Sequence, residues 1–266
     1  MNLHQTITDW QQFRQHWGGL HNFLLDGDLI ADFNYPLPPL ERIIEDVRTA
    51  PGAFVRSGLK GDAFDLIDIK TDFCKLPLTE ALHSRFVLAH FRLHPTLSGK
   101  GQVFEGIDKR WVEPWRQKLR AHGFEFDSVF AILFASGPNS ASNYHLDYTH
   151  QLAWQRYGAK HFSGLRDPNR WTTLEQRGRC ELKGTVKPAG ITANDVYSIE
   201  QPPGSVLWNA QTTPHWVETF GECAVTLTLV HDQLRMDGRL CPHAEECDRW
   251  REQHDPRPQN PQKGGY

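Results

Sequence analysis

The first half of the chain and the part after residue 123 differ in how apolar residues are spaced. Apolar side chains recur at helical spacing in residues 8–17 and again in residues 39–49, which is typical of amphipathic helices. A third helix is predicted from about Asp108 to His122. Pro114 must begin, kink or interrupt that helix, and Gly123 is expected to end it.

From Phe124 onward the spacing is that of short strands. The run DSVFAILFAS is rich in apolar and β-branched residues, and the turn-forming stretch GPNSAS follows it. Many short strands separated by Pro and Gly turns are typical of a sandwich or barrel. The sequence therefore predicts a mainly β fold with flanking helices, whose further strands lie at residues 143–149, 151–163, 194–200, 204–209 and 215–230.

These patterns predict three regions along the chain. Residues 1–123 form a helical N-terminal region packed on a barrel, and residues 124–231 form the barrel itself. Residues 232–266 form a C-terminal helix and a tail, because the closing stretch HDPRPQNPQKGGY is rich in Pro and polar residues.

Composition limits the classes of partner. The 266 residues carry a formal net charge of −3 and a pI near 6.5, which gives no electrostatic reason to bind nucleic acid or an anionic membrane. No apolar run approaches the ~20 residues of a bilayer span, and the N-terminus lacks the pattern of a signal peptide. The five cysteines are an odd number without a framework spacing, as expected for reduced thiols. We expect a cytoplasmic protein.

The candidate chemistry begins with His145 and Asp147. On a strand, residues two apart project from the same face, so an imidazole and a carboxylate could reach one ion. Such a pair also arises by chance among 14 histidines, and a hydrogen-bonded surface pair is the alternative. His215, which opens a later predicted strand, is the candidate third ligand.

A lysine follows His145 and Asp147 at a spacing that could place it in the same pocket. The segment reads His-x-Asp, seven residues, then Gln155, Gly158 and Lys160. Lys160 would lie on the next barrel strand, where it could pair with the far carboxylate of a dicarboxylate ligand in a desolvated pocket. An isolated lysine would more simply be a solvated strand residue.

These residues together resemble the motif of the JmjC-type, cupin-like 2-oxoglutarate oxygenases, a family that includes protein asparaginyl hydroxylases. The match includes His145, Asp147, Gln155, Gly158 and Lys160, and the segment PGSVLW leading to HWVE is similar to the family's strand with the second ligand histidine. It covers roughly residues 125 to 231. The resemblance implies a double-stranded β-helix, or jelly roll.

The resemblance also implies a set of ligands. His145, Asp147 and His215 would hold Fe(II), and Lys160 would pair with the 5-carboxylate of the cosubstrate 2-oxoglutarate. The reaction would be an oxidation of a substrate C–H bond, with release of succinate and CO2 and hydroxylation as the default outcome.

Two further positions are assigned by the resemblance to cosubstrate binding. Ser142 is similar to a hydroxyl position just before the motif. Gln151 stands where some relatives have Asn, six positions after the first histidine, so its contact with the cosubstrate is an open question.

The substrate class is not fixed by the motif. The short chain, the acidic net charge and the lack of a reader module favour a small molecule or free amino acid over a histone-like target. A protein side-chain hydroxylase or demethylase of the same family is an alternative, as are a non-catalytic cupin-like binding module and a metal cupin of other chemistry. A homodimer through the terminal helices is a further expectation.

Other residues have two interpretations each. Between Lys160 and Pro203 an insertion long enough for a lid has a local positive excess, which suits either an acidic substrate or a solvated face.

Tyr144 and Tyr148 could face the pocket or the second sheet layer, and Trp208 and Trp216 could belong to the core or to a substrate cage. A zinc site is conceivable at Cys241, His243 and Cys247, although the paired Cys-x-x-Cys spacing is missing.

Overall fold

Two β-sheets form the centre of the protein. The computed structural model describes residues 5–58, 67–93, 95–179 and 187–254. Its strands are β1 (Thr6–Ile7), β2 (Phe23–Leu25), β3 (Ala53–Arg56), β4 (Val87–His90), β5 (Phe124–Glu125), β6 (Ser128–Ser136), β7 (His150–Tyr157), β8 (Lys160–Leu165), β9 (Val196–Gln201), β10 (Val206–Asn209), β11 (His215–Thr219), β12 (Ala224–Asp232) and β13 (Arg235–Met236).

The major sheet has eight strands in the order β1-β2-β10-β7-β12-β6-β4-β3, and the minor sheet has three in the order β11-β8-β9. Only β1 and β2 pair in parallel within the major sheet. A separate two-stranded ribbon pairs β13 with β5. The mainly β architecture predicted from the sequence is confirmed.

Most of the helices stand before β6 in the sequence, where they alternate with the short strands of the N-terminal region. They are α1 (Trp10–His16), α2 (Leu40–Thr49), α3 (Lys70–Phe73), α4 (Leu78–His83), α5 (Pro95–Ser98), α6 (Glu113–Ala121), α7 (Pro168–Trp171), α8 (Leu174–Arg179) and α9 (Pro242–His254). No helix in the described ranges combines the length and the apolar character needed to cross a membrane.

The three helices predicted from the sequence are present. Asp9 caps α1 by accepting a hydrogen bond from the backbone amide of Gln12, as expected of an N-cap carboxylate. The third helix is interrupted where Pro114 stands: a π-helical turn precedes α6, which holds this proline in its first turn. Gly123 follows α6 at a φ of 80°, the left-handed conformation that ends many helices.

The prediction that residues 1–123 are helical is wrong in part. This region also contributes β1 to β4, which extend the major sheet at both edges. These strands are only two to four residues long. Periodicity cannot distinguish such short apolar runs from pieces of a helix.

Residues 143–149 were predicted as a strand and form a loop instead. The loop that contains them makes two isolated bridges with β11, Ala141 with Glu218 and His145 with His215, but no continuous ladder. Between these bridges the loop has one residue more than β11. The extra residue breaks the pairing, because a continuous ladder needs equal numbers on both sides.

Two long predicted strands are each divided by a turn into strands of different sheets. Residues 151–163 contain the end of β7 and the start of β8, and residues 215–230 contain β11 and most of β12. Gly158 makes the first turn at a φ of 59°. A Cβ at this position would lie 2.4 Å from the carbonyl oxygen of Cys223, so only glycine fits there.

The two faces of the major sheet have different roles. One face packs on the helices; there Trp208 is fully buried, lies 4.9 Å from the Phe13 ring and donates its indole N–H to the Trp17 carbonyl. Trp208 is therefore a core residue. The other face presents Ala153 and Leu207 to the minor sheet. The space between the sheets is where the candidate site lies.

Candidate metal centre

Two histidines from distant parts of the sequence face each other across the loop and β11. His145 and His215 exchange both backbone hydrogen bonds, at 3.0 and 2.9 Å. Their ring centroids are 4.1 Å apart. The loop after β6 is therefore held so that its imidazole lies beside that of β11.

Hydrogen bonds to backbone carbonyls fix the tautomer of both rings. The Nδ1 atom of His145 lies 2.7 Å from the Asn143 carbonyl oxygen, and that of His215 lies 2.9 Å from the Thr213 carbonyl oxygen. A carbonyl only accepts, so each Nδ1 must have the proton. The neutral ring then has a free Nε2 lone pair, the form in which histidine binds metals.

Asp147 completes the group. One of its carboxylate oxygens is 3.3 Å from the His215 Nε2 atom, and the other is 4.0 Å from the His145 Nε2 atom. One ligand atom from each of the three residues lies within 4.8 Å of the others, and within the described ranges this is the one such group that could hold a metal ion. The structure thus brings together the three residues singled out from the sequence.

Burial keeps the His215 imidazole neutral. Desolvation, together with the neighbouring His145, lowers the pKa of His215 to about 4, although Asp147 opposes the shift. Its ring is stacked on Phe162 at 4.8 Å. At neutral pH the Nε2 lone pair is therefore available, without loss of a proton.

Asn209 also contacts the three candidate ligands, although the sequence did not predict this contact. Its amide nitrogen donates to an Asp147 oxygen at 2.7 Å and lies 3.5 Å from the His215 Nε2 atom. Asn209 ends β10, two residues after the inward-facing Leu207. Strand alternation from Leu207 was the signal that could have found it.

Lys160 lies deep between the sheets. It starts β8, opposite Gln201 and Thr219, and shares a face with Phe162, which stacks on His215. Its side chain is buried, and burial lowers the pKa of the ammonium to about 8. Among the described residues it has no hydrogen bond or ion pair with a side-chain carboxylate.

Gln155 shapes the turn that leads to Lys160. Its amide nitrogen donates to the carbonyls of Tyr157 and Gly158, at 2.7 and 2.9 Å, while its oxygen accepts from the Thr226 hydroxyl at 2.6 Å. These bonds explain the sequence spacing of Gln155 and Gly158 before Lys160, because they hold the turn from which β8 begins.

The two other residues assigned to cosubstrate binding lie nearby. Gln151 pairs with Asn209 in the major sheet and so points to the same inner face. The Ser142 hydroxyl accepts from the Val217 amide at 2.9 Å and lies 3.3 Å from the Asn143 carbonyl oxygen. The first bond ties the ligand loop, residues 137–149 between β6 and β7, to β11. Their contact with a cosubstrate remains a prediction.

The insertion after β8 packs beside the ligand loop. The Tyr144 hydroxyl lies 3.2 Å from that of Thr172, and the Tyr148 hydroxyl donates to the Arg179 carbonyl at 2.9 Å. Both tyrosines therefore contact the insertion around α7 and α8. The part of the predicted lid at residues 180–186 lies outside the described residues.

The zinc alternative receives no support. Cys241 lies 3.3 Å from the Nε2 atom of His243, which itself pairs with the Gln211 carbonyl. Cys241, His243 and Cys247, all of which the structure describes, do not form a group whose ligand atoms lie close enough together to hold one ion.

The arrangement of sheets is shared with solved oxygenase structures. The chain is similar to YcfD, a ribosomal oxygenase from Escherichia coli, in complex with cobalt and succinic acid (13% identity, TM-score 0.52) and in complex with cobalt and 2-oxoglutarate (14% identity, TM-score 0.52). Each alignment covers 85% of this chain and 52% of the other. The chain has the jelly-roll fold of the JmjC-type oxygenases.

The similarity between this chain and the YcfD structures is a similarity of fold. This chain spans about half the length of the YcfD structures. No family model matches the sequence, and no curated protein matches it. Within the jelly roll, the candidate ligands lie where the ligand loop meets the minor sheet, and Lys160 lies on the adjacent strand.

Proposed function

We propose that this protein is an Fe(II)- and 2-oxoglutarate-dependent oxygenase that hydroxylates a C–H bond. The observation that supports this most strongly is the convergence of His145, Asp147 and His215, with ligand atoms within 4.8 Å of one another. Two histidines and one carboxylate on one side of an ion form the donor set of non-haem iron oxygenases, because the opposite positions stay open.

The side chains fit such an ion. Both imidazoles have an unprotonated Nε2, and their Nδ1–H bonds to the Asn143 and Thr213 carbonyls orient the rings and increase their basicity. The fold likeness to structures that hold cobalt with 2-oxoglutarate or succinate supports the same proposal.

Lys160 fits the second carboxylate of the cosubstrate. An ammonium with a pKa lowered by burial is costly to keep charged unless an anion lies beside it. A diacid bound at the ion and extending between the sheets would bring such an anion to it.

In this proposal the metal with its cosubstrate and the protein have separate roles. Iron with 2-oxoglutarate and dioxygen supplies the oxidising power for a C–H bond, with succinate and CO2 as co-products. The chain holds the ion through its three ligands and anchors the diacid through Lys160. Apolar residues between the sheets, among them Ala153, Phe162 and Leu207, exclude water from the reacting groups.

Two substrate classes are candidates. A small molecule or free amino acid suits the formal net charge of −3. A protein side chain is the second candidate, because the fold neighbour YcfD is a ribosomal oxygenase.

The test begins without substrate. Anaerobic Fe(II) and 2-oxoglutarate should give a weak visible charge-transfer band, and protein that binds both without this band would contradict the proposal. Succinate formation is then compared with free amino acids, other metabolites and ribosomal proteins; stimulation by one class identifies the substrate class.

A further inference from the structure

Asn209 is a buried polar side chain at the end of β10, beside the candidate metal centre. It is 1% exposed, and its neighbour on the same face of β10, Leu207, packs with Ala153 and Phe162. Within the part of the chain that the structure describes, the buried Asn209 oxygen has no hydrogen-bond partner. A buried amide with one end unsatisfied destabilises the fold, and an apolar side chain of similar size would avoid this cost.

The other end of the amide has a well-defined partner. The carboxylate of Asp147 only accepts hydrogen bonds, so the Asn209 group 2.7 Å from its Oδ2 atom must be the NH2. That bond engages one carboxylate oxygen. The Oδ1 atom, which is 4.0 Å from the His145 Nε2 atom, is left for an ion.

The backbone beside Asn209 is also fixed. The backbone amide of Ala210 donates to the Asn22 side-chain oxygen at 2.9 Å, and the backbone amide of Asn22 donates to the Tyr197 hydroxyl at 3.0 Å. The end of β10 is thereby tied to the N-terminal segment and to the minor sheet. These bonds fix the backbone next to Asn209 and so the position of its side chain beside Asp147.

We propose that Asn209 is a positioning residue of the metal centre, which makes Asp147 bind the ion through one oxygen only. The inference rests on the proposed function. A carboxylate with both oxygens free can chelate an ion and take a position that the cosubstrate needs. The Asn209 hydrogen bond prevents this, and outer-shell bonds of this kind change metal affinity by about 10–100-fold.

The test uses cobalt(II) alone, without cosubstrate. Asn209→Leu removes the donor and keeps the approximate size, and Thr228→Val is the control, since it makes a matched polar-to-apolar change on the same inner face of the major sheet. We expect the cobalt dissociation constant of Asn209→Leu to rise by about tenfold or more. The visible cobalt bands should also change in position and intensity, while Thr228→Val resembles the wild type in both measurements.

A second variant distinguishes positioning from packing. Asn209→Ala also removes the donor, but it leaves empty the space that Asn209→Leu fills. If the hydrogen bond to Asp147 is what matters, both variants should lose cobalt affinity to a similar extent, whereas a role in packing alone would make them differ. This variant also decides the matter if Asn209→Leu does not fold.

The outcomes separate the two proposals. Wild-type protein that binds no cobalt would refute the metal centre itself and so the proposed function. Wild-type protein that binds cobalt, with an unchanged affinity and spectrum in the folded variants, would refute only the role of Asn209.

Discussion

The backbone amide of His145 donates to the carbonyl of His215 at 3.0 Å, and the His215 amide returns the bond at 2.9 Å. This reciprocal pair is an isolated bridge rather than part of a ladder. It fixes the distance between two imidazoles that are far apart in the sequence. The geometry of the candidate centre therefore depends on where the ligand loop meets β11.

The first prediction concerns the ligands. His145→Ala and Asp147→Ala should each abolish succinate formation and weaken cobalt binding, because two side chains cannot replace the three-ligand donor set. Isothermal titration with cobalt and an assay for succinate measure the two effects. His161→Ala is the control, because His161 lies on the opposite face of β8, with its ring against Phe220. Turnover retained in either ligand variant would refute the assignment.

The candidate ligands could be predicted from the sequence because the motif fixes both residue types and spacing. His145, Asp147 and Lys160 stand at set distances along one segment, and His215 opens a strand with a recognisable beginning. The premise that His145 and Asp147 lie on a strand was wrong. They lie on a bulged loop, whose extra residue depends on pairing with β11, a contact that local sequence does not encode.

Other features could not be predicted for related reasons. The strands β1 to β4 are too short for a period to show, and they form by addition to a sheet whose main strands come much later in the chain. Asn209 stands at a strand end, where asparagine is ordinarily a turn residue. Its contact with Asp147 exists only once both sheets are assembled.

The second prediction concerns the cost of burying Lys160. Lys160→Met removes the ammonium but keeps a long flexible side chain. Because burial lowers the pKa of Lys160 from 10.5 to about 8, the variant should be more stable than the wild type at pH 7, by about 1–3 kcal/mol. Urea unfolding without ligands measures this difference.

The same substitution should weaken cosubstrate binding. Loss of a charge-assisted hydrogen bond costs roughly 1.5–3 kcal/mol, which corresponds to about a tenfold to hundredfold rise in the dissociation constant for 2-oxoglutarate. Cobalt affinity without cosubstrate should be unchanged. A less stable variant that binds 2-oxoglutarate normally would show that Lys160 has a structural role only.

The third prediction is the pH dependence of cosubstrate binding. The Lys160 ammonium has a pKa of about 8 in the free protein, so above that pH an increasing fraction is neutral and cannot pair with a carboxylate. The dissociation constant for 2-oxoglutarate should rise up to about tenfold per pH unit above pH 8. Calorimetric titrations at pH 7, 8, 9 and 9.5 measure it.

An arginine at the same position provides the control. Lys160→Arg keeps its charge throughout this range, so its affinity for 2-oxoglutarate, although altered by the larger group, should not depend on pH. A wild-type profile that is flat between pH 7 and 9.5 would contradict the pairing of Lys160 with the diacid.

The fourth prediction concerns acid unfolding and is independent of any ligand. His231 is fully enclosed; its Nε2 atom accepts the indole N–H of Trp115 at 2.7 Å, and its Nδ1–H donates to the His150 carbonyl. Protonation would place a second N–H against that indole. Burial lowers the pKa of His231 to about 4, so the folded ring stays neutral where an unfolded one would be charged.

This lowered pKa makes the free energy of unfolding fall as the solution becomes more acidic. A histidine whose folded pKa lies below its unfolded value of 6.5 contributes stability that is complete above pH 6.5 and is lost as the pH falls towards 4. His231 alone should remove about 1.4 kcal/mol per pH unit in that window. His231→Gln keeps an acceptor for Trp115 but cannot titrate. Its free energy of unfolding, measured in urea between pH 7 and 4.5, should therefore fall less steeply than that of the wild type, and parallel profiles would show that His231 is protonated in the folded protein.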